Sequence, residues 1–272
     1  MPPSPMPFTQ RIERLYSELS PNGRKLADHL MHHSQDVINC TVAELATITQ
    51  TSKATVSRFF RQLGYESHFD VKQEMNELRA AGYPINTHSS DVTGYKAELT
   101  RLKQTFENID NQQLSHFIDD IIQAKRITLI GFRNSYPVAL HFRQQLQQIK
   151  TQIRVLPYPG QTLSEDLQDL EPDELIIVFG FRRRPKIFAE MLQHVSQHKV
   201  ALFADPSGQI YKANTDYLFI CQLGQEQALD SYAAPMSLIA IISNKVLTKL
   251  ASQGQKRVAS ISERFRLLDE LE

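Results

Sequence analysis

Five short runs of consecutive apolar residues in the second half of the chain constrain its fold more than any other feature. Continuous apolar runs of this length are typical of strands buried on both faces, as in parallel sheets. Helical patterns separate them, at about 137–149, 164–170 and 186–197. The pattern predicts an open, doubly wound, mostly parallel five-stranded sheet. The runs are RITLI (126–130), IRVL (153–156), ELIIVF (174–179), VALFA (200–204) and YLFIC (217–221).

Further helical patterns flank this predicted α/β domain. Two precede it, at 95–109 and, after the capping residue Asp110, at 111–125. An apolar pattern at 231–250 and an amphipathic one at 257–271 follow it. We therefore assign residues 94–272 to one α/β domain.

The first 82 residues contain no convincing strand and predict an all-α domain. Helices are expected at 8–19, at 21–33 and at 69–81. Ser20 supplies the cap of the second helix, and Pro21 suits its first position. The segment 83–93 is polar, contains proline and lacks periodicity, so we interpret it as a linker between the domains.

Composition excludes several kinds of site. The 272 residues carry 30 basic and 30 acidic side chains, so any attraction to nucleic acid must come from a local cluster. The two cysteines and the scattered histidines form no metal-ligand spacing, and we expect no metal and no cofactor. No run approaches the roughly 18 apolar residues that span a bilayer, which predicts a cytoplasmic protein.

The segment from Thr41 to Leu63 predicts two short helices joined by a tight turn. Thr41 and Glu44 have the spacing of a capping box, and Ser52 can cap the second helix after the polar turn at 49–51. Four apolar residues then follow at i, i+3, i+4 and i+7, namely Val56, Phe59, Phe60 and Leu63. This is the pattern of a helix-turn-helix, whose second helix enters the major groove of double-stranded DNA.

Side chains opposite the apolar stripe are of types that bind DNA. Arginine can donate two hydrogen bonds to guanine, glutamine can pair with adenine, and small hydroxyl residues reach phosphates. No acidic residue lies between Glu44 and Glu66, although the solvated surface of a helical bundle would also be polar. We expect the DNA contacts to come from Thr41, Ser52, Lys53, Ala54, Thr55, Ser57, Arg58, Arg61 and Gln62.

The runs LSPNGRKLADHL (19–30) and TVAELATITQTSKATVSRFFRQLGY (41–65) resemble the N-terminal domain of RpiR-type, also called MurR-type, bacterial transcriptional regulators. The run ELTRLKQTFENIDNQQLSHFIDDIIQAKRITLIGFRNS (98–135) is similar to the start of that family's sugar isomerase (SIS) domain. The resemblance implies that the α/β domain binds a phosphorylated sugar or a related metabolite. It also implies dimerisation, which positions two helix-turn-helix units on operator half-sites.

The loop after the first predicted strand is one candidate effector site, because ligands of open α/β sheets bind at the carboxyl ends of strands. Residues 131–135, GFRNS, match the family's G-x-G-x-S except that Arg133 replaces the second glycine. Ser135 precedes a helix expected to start at Pro137, whose N-terminal backbone N–H groups would favour an anion. We expect contacts from Gly131, Arg133, Asn134 and Ser135.

The loop after the third predicted strand departs from the family's S-x-S-G-x-T-like pattern. It reads FGFRRRP at 179–185, with arginines in place of hydroxyl residues. Arginine can bind a carboxylate or phosphate through two charge-assisted hydrogen bonds, so Gly180, Arg182, Arg183 and Arg184 are expected to bind a small anion. That anion is a sugar phosphate or, given the altered loop, an amino acid or dicarboxylate. A solvated charged loop, or a contact to DNA or another subunit, is the alternative.

Two other functions are compatible with the sequence. An SIS-class phosphosugar isomerase would need a general base, but Glu165, Asp205 and Glu226 lie near predicted strand ends without forming a catalytic pattern. We therefore expect no catalytic residues and no enzyme activity. The α/β domain could also serve only as a dimerisation platform, through its long apolar helix. A homodimer or tetramer is expected in either case.

Overall fold

The structure is a computed structural model that describes residues 8–81, 94–224 and 229–270. The chain forms two compact units, an all-helical one that contains residues 8–81 and an α/β one that contains residues 94–223 and 231–270. The predicted linker at 83–93 lies outside the described residues, so the domain boundary there stays a prediction.

The helical unit is built from six α-helices within its described range. Ser20 caps the second of them by accepting a hydrogen bond from the Gly23 amide at 3.2 Å, as predicted. The first predicted helix continues only as a 3₁₀ turn after Leu15, and the single-turn α3 was too short to show a periodic pattern. The helices are α1 (Phe8–Leu15), α2 (Pro21–His32), α3 (Asp36–Asn39), α4 (Val42–Ile48), α5 (Lys53–Gln62) and α6 (His68–Ala81).

The α/β unit contains five strands and six helices in its described residues. The strands are β1 (Ile127–Gly131), β2 (Ile153–Leu156), β3 (Leu175–Gly180), β4 (Lys199–Ala204) and β5 (Tyr217–Ile220). The helices are α7 (Gly94–Glu107), α8 (Asn111–Gln123), α9 (Ser135–Gln147), α10 (Ser164–Gln168), α11 (Phe188–Val195) and α12 (Ala233–Leu268). A 3₁₀ helix at Pro206–Asn214, which was not predicted, follows β4.

All strand pairs are parallel, and their order in the sheet is β2-β1-β3-β4-β5. The chain moves outward in one direction from β1 to β2 and in the opposite direction from β3 to β5. The topological switch point therefore lies between β1 and β3, where the ends of the two strands pair as Gly131 with Phe179. The predicted doubly wound five-stranded fold is confirmed.

Each face of the sheet buries its own apolar core, because successive strand residues point to opposite sides. One face carries Leu129, Ile177 and Phe203 and is covered by α8, α9 and α12. The other carries Ile130 and Val178 and is covered by α11. Both faces are thus covered by helices, which explains why the strand segments are apolar at nearly every position.

Helix α12 extends over a range that was predicted as two separate helices. Its backbone is not helical at Ala251, where φ is 47° and ψ is −125°, so the helix has two parts that meet at a sharp kink. The second part starts directly after Ala251, several residues earlier than the predicted start at 257.

Two negative findings concern the described residues. None of their helices is long and apolar enough to cross a membrane. No cluster of three or more potential metal ligands occurs among them, and Cys40 and Cys221 are both free thiols.

Candidate functional sites

Two side-chain caps fix the starts of α4 and α5. The Thr41 hydroxyl accepts a hydrogen bond from the Glu44 amide at 3.3 Å, and the Glu44 carboxylate accepts one from the Thr41 amide at 2.7 Å. The hydrogen bond from the Thr41 amide, together with the Thr41 side chain, stabilises the charged carboxylate and lowers the pKa of Glu44. Ser52 caps α5 by accepting a hydrogen bond from the Thr55 amide at 3.1 Å. Both predicted caps are confirmed.

The turn between α4 and α5 is tight although it contains no glycine. Gln50 adopts the left-handed conformation with φ of 51°. The Thr51 amide then reaches back to the Ala46 carbonyl at 2.8 Å, and the Thr49 hydroxyl donates to the Leu45 carbonyl at 2.7 Å. Both helix-end carbonyls are thereby satisfied, and α5 leaves the turn in a defined direction.

The apolar stripe of α5 faces the interior of the helical unit, as predicted. Val56, Phe59, Phe60 and Leu63 are all buried. The Phe60 ring packs 6.4 Å from Phe8 of α1 and 5.2 Å from His68 of α6, measured between ring centroids. This packing fixes which side of α5 faces outward.

The structure places most of the predicted DNA-binding side chains on the solvent side. Thr55 and Ser57 are half-buried, and the others are exposed, namely Thr41, Ser52, Lys53, Ala54, Arg58, Arg61 and Gln62. The Ser52 hydroxyl is 2.9 Å from the Thr55 hydroxyl, and Arg58 Nε makes a long 3.4 Å hydrogen bond to the Ala54 carbonyl of its own helix. The side chains of Lys53, Arg61 and Gln62 have no hydrogen-bond or ion-pair partner within the described part of the chain.

The two predicted effector loops meet at the topological switch point. The Phe181 amide, just beyond β3, donates a buried 3.4 Å hydrogen bond to the hydroxyl of Ser135, just beyond β1. Gly131 is needed for the close approach, since a Cβ atom there would lie 2.8 Å from the Ser135 carbonyl oxygen. At Gly180 a Cβ atom would lie 2.2 Å from the Phe188 ring, so this glycine makes room for α11. Both glycines therefore have packing roles.

The start of α9 differs from the prediction. The helix begins at Ser135 rather than at Pro137. The Ser135 and Tyr136 amides donate to the carbonyls of Phe132 at 3.0 Å and Arg133 at 3.1 Å, and Pro137 has no N–H group. The backbone donors that the sequence suggested for an anion are therefore used within the loop. Charge for an anion must come from side chains.

Arginines take the left-handed conformation in both loops. Arg133 has φ of 53° and Arg183 has φ of 67°. For a residue with a Cβ atom this conformation costs about 1 kcal/mol, and such residues are enriched at binding and active sites. Arg133 and Asn134 are exposed, whereas Arg182 and Arg183 are half-buried. A left-handed position also explains why the family pattern has glycine where this chain has Arg133.

Arg184 is already engaged within the protein. It forms a 2.7 Å ion pair with Asp205, at the end of β4, and donates to the Ser207 hydroxyl at 2.9 Å. Its guanidinium also lies 5.5 Å from the centroids of the Phe188 and Tyr211 rings. Arg184 therefore connects the β3 loop to the β4 loop.

A second polar cluster lies at the start of α12 and joins Ser231 to Glu98, which is 133 positions earlier in the chain. The Ser231 hydroxyl donates to Glu98 of α7 at 2.6 Å, and Glu98 also accepts from Arg101 at 2.6 Å. Burial alone would raise the pKa of Glu98, but the hydrogen bonds from Arg101 and Ser231 outweigh it, so the pKa is lowered. Tyr232 packs edge-on against Phe181, with ring centroids 5.5 Å apart. This link places α12 beside the β3 loop.

Of the acidic residues considered for catalysis, the structure describes Glu165 and Asp205. Glu165 is exposed and accepts a hydrogen bond from Thr162 at 2.8 Å, and Asp205 is paired with Arg184. Glu226 lies outside the described residues.

Two family models match the chain. The model described as the helix-turn-helix domain of the rpiR family matches residues 6–81, and the SIS domain model matches residues 120–244. A helix-turn-helix unit followed by an SIS domain defines a class of DNA-binding transcriptional regulators. The chain belongs to the RpiR family of these regulators, as its sequence suggested.

Several relatives are similar over different parts of the chain. The HTH-type transcriptional regulator YbbH of Bacillus subtilis is 23% identical over 254 residues, which cover 85% of this chain and 87% of that protein. An HTH-type regulator of Providencia stuartii is 25% identical over 62% of this chain and 64% of its own length. The bifunctional protein glk of Burkholderia thailandensis is 27% identical over 48% of this chain, but the match spans only 22% of that protein.

Two solved structures share the fold. The NanR protein of Vibrio vulnificus, complexed with ManNAc-6P, aligns over 96% of this chain and 98% of its own with a TM-score of 0.58 and 18% identity. The sugar isomerase domain of an RpiR transcription factor from Sphaerobacter thermophilus aligns over 62% of this chain and 96% of its own, with a TM-score of 0.58 and 15% identity.

Proposed function

We propose that this regulator reads operator DNA with α5 and that a small anion, bound at the switch point between β1 and β3, controls this binding. The observation that carries the proposal is the outer face of α5, which presents basic and amide side chains from a helix that is capped and packed in one orientation.

Arg58 and Arg61 are the side chains best suited to bind base edges. They lie three residues apart on α5 and so project from the same side of the helix. Both are exposed, and arginine can donate two hydrogen bonds to the major-groove edge of guanine. Lys53 lies near the first turn of the helix, where it suits a phosphate contact.

Arg58→Ala and Arg61→Ala should each weaken operator binding by about 1 to 3 kcal/mol and relax sequence preference at the contacted base. Lys53→Ala should weaken binding to all sequences and lower the salt slope by about one. Fluorescence anisotropy with duplexes from the regulator's own promoter, at several salt concentrations, measures both effects. Arg14→Ala removes the same charge from an exposed site on α1 and is the matched control. Unchanged affinity in both Arg58→Ala and Arg61→Ala would contradict the proposal.

The effector proposal rests on the arginines of the two switch-point loops. Arg133, Arg182 and Arg183 bring positive charge to the place where open parallel sheets bind ligands, while Arg184 is paired with Asp205. NanR, which shares the fold, was solved with a phosphorylated sugar, which supports a sugar phosphate here too. The loss of the hydroxyl residues from the β3 loop instead favours a dicarboxylate or an amino acid.

A thermal-shift screen of sugar phosphates, dicarboxylates and amino acids distinguishes these classes, because a ligand stabilises the native state by mass action. Arg183→Gln should abolish the shift caused by the active compound. Lys212→Gln, at an exposed site in the same unit, should not change it. If Arg183→Gln binds the active compound normally, the anion site is placed wrongly. If no compound of the panel binds, the α/β unit serves as a dimerisation platform.

We infer further that the chain is not an isomerase and that it works as a homodimer or tetramer. Asp205 is paired with Arg184, and hydrogen bonds from its own backbone amide and from Thr162 lower the pKa of Glu165, so both carboxylates are weak bases, which supports the first inference. Aldose–ketose interconversion by the purified protein would contradict it.

Control of DNA binding by the anion is tested by measuring operator affinity with and without the effector. The two affinities must differ if the anion shifts the protein between two states.

A further inference from the structure

A cavity of about 350 Å³ lies at the amino ends of β3 and β4. It is formed by the segments 167–172 and 194–198, which contain the ends of α10 and α11 and the residues that lead into the two strands. We call it the amino-end pocket. In a parallel sheet this end lies opposite the carboxyl ends of the strands, where the candidate effector loops are. Small-molecule sites are commonly clefts of about 300 to 1,000 Å³, so the pocket can hold a small ligand.

The polar part of the pocket consists of two carboxamides and two imidazoles. They belong to Gln168, His194, Gln197 and His198. None of these four side chains has a hydrogen-bond or ion-pair partner within the described part of the chain. The Nδ1 atom of His198 is buried as well, although buried polar atoms are nearly always hydrogen-bonded. The pocket therefore offers four polar groups that the fold itself does not use.

The remaining lining is apolar. Leu167 and Leu170 are half-buried and pack against the core beneath α11, and Pro172 lies beside them in the lining. No lysine, arginine, aspartate or glutamate is among the lining residues. A charged ligand would lose hydration in this pocket without gaining an opposite charge, which is costly. The lining therefore suits an uncharged molecule with an apolar face and polar edges.

The surroundings of the pocket disfavour an anion. Helix α11 ends at Val195, so its C-terminal end, which carries the negative end of the helix dipole, lies at the pocket. Asp169, next to Gln168 in the chain, is exposed and has no ion-pair partner in the described ranges. Both features favour hydrogen-bond donors on a ligand and repel a phosphate. The amino-end pocket is thus the electrostatic opposite of the arginine loops at the switch point.

We propose that the amino-end pocket binds an uncharged purine base or nucleoside that has the hydrogen-bonding edge of adenine. A glutamine carboxamide can accept a hydrogen bond from the N6 amino group of adenine and donate one to N7. Imidazole rings can stack on the face of a base. This inference goes beyond the proposed function, because it gives the regulator a second, chemically different ligand. It uses none of the residues proposed to bind DNA or the anion, so the two proposals can fail separately.

Isothermal titration of the full chain with adenosine tests the site. The double variant Gln168→Leu/Gln197→Leu should raise the dissociation constant by about tenfold or more, because leucine is similar in size to glutamine but forms no side-chain hydrogen bond. The matched control is Gln112→Leu/Gln193→Leu, at two exposed positions outside the pocket, and it should bind as wild type does. All four glutamines are exposed, so both double variants should keep the fold, which circular dichroism verifies.

Related compounds test the class of ligand. Inosine, which has a carbonyl oxygen in place of the N6 amino group, should bind about tenfold more weakly than adenosine, because it cannot donate to the carboxamide. Adenosine 5′-phosphate should also bind more weakly, since α11 and Asp169 repel its charge. It is titrated into Arg183→Gln, so that the switch-point loops do not bind the phosphate. Equal affinities for the three compounds would contradict the assigned class.

The location of the site is tested with the same variants. Arg183→Gln should bind adenosine with unchanged affinity, because the switch point lies at the other end of the sheet. Loss of adenosine binding in this variant would place the ligand at the effector loops instead. Absence of adenosine binding to the wild-type chain, or normal binding by Gln168→Leu/Gln197→Leu, would overturn the proposal.

Discussion

At three positions the backbone has a left-handed conformation that favours glycine, but the chain has a residue with a side chain there. These residues are Gln50, Arg133 and Arg183. All three have positive φ values, between 51° and 67°, and all three lie in a turn that positions a candidate site. Each conformation costs about 1 kcal/mol for a residue with a Cβ atom. At Arg133 and Arg183 the retained side chain brings charge to the switch point, whereas Gln50 serves the turn between α4 and α5.

Gln50→Gly should raise the free energy of unfolding by about 0.5 to 1 kcal/mol, because glycine adopts the left-handed conformation without strain and offsets its own entropy cost. Chemical denaturation of the full chain measures this change. Gln50→Ala keeps the Cβ atom and should show no gain. A destabilising Gln50→Gly would mean that the glutamine side chain makes a contact that outweighs the strain.

At the scale of elements, His68 connects the start of α6 to α3. Its Nε2 atom donates to the Val37 carbonyl at 2.9 Å, and its ring packs against Phe60. Burial lowers the pKa of His68 from 6.5, the Val37 hydrogen bond opposes this shift, and Lys72 adds to it. The folded state therefore favours the neutral ring.

The lowered pKa of His68 predicts that the stability of the protein depends on pH. The unfolded chain binds a proton at His68 near pH 6.5, while the folded chain binds it only at lower pH. The stabilisation is therefore complete above pH 6.5 and is lost progressively as the pH falls from there through the lowered folded pKa. Urea unfolding between about pH 7.5 and 5.5 should show a shallower decline for His68→Gln than for wild type. His116→Gln, on the exposed side of α8, should follow wild type.

The sequence predicted elements better than contacts between them. The five strand ranges differ from the structure by at most one residue at either end, because buried parallel strands are apolar throughout. The start of α9 was placed two residues late, since Pro137 is the third residue of the helix rather than the first. The pair of Arg184 with Asp205 joins residues 21 positions apart, and no local pattern reports such a contact.

At the scale of the whole molecule, the apolar cores are separate. The core of the helical unit contains Phe60 and Leu26, and neither core of the α/β unit shares a residue with it. Each unit therefore has its own source of stability, and we expect calorimetry to resolve two unfolding transitions.

Phe60→Ala should lower the stability of the helical unit by about 3 to 5 kcal/mol, because a fully buried ring leaves a cavity. Its transition should move to lower temperature, operator binding should be lost, and the second transition should stay in place. Phe203→Ala, at a fully buried position in β4, should have the reverse effect on the two transitions. A single transition that moves in both variants would show that the units unfold together.

The direction of the second part of α12, residues 252–268, depends on the kink at Ala251. Alanine favours helix more than any other residue, so the local sequence at Ala251 gives no reason for a bend. The bend is held by the two bonds from Arg257 to the Gln147 carbonyl of α9, and Gly254 leaves room for Leu247 and Leu250 of the first part of the helix. Without this clamp, the 36 residues of α12 would form one straight rod of about 54 Å. The Gln147 carbonyl at the end of α9 thus helps to fix the direction of the last four turns of α12.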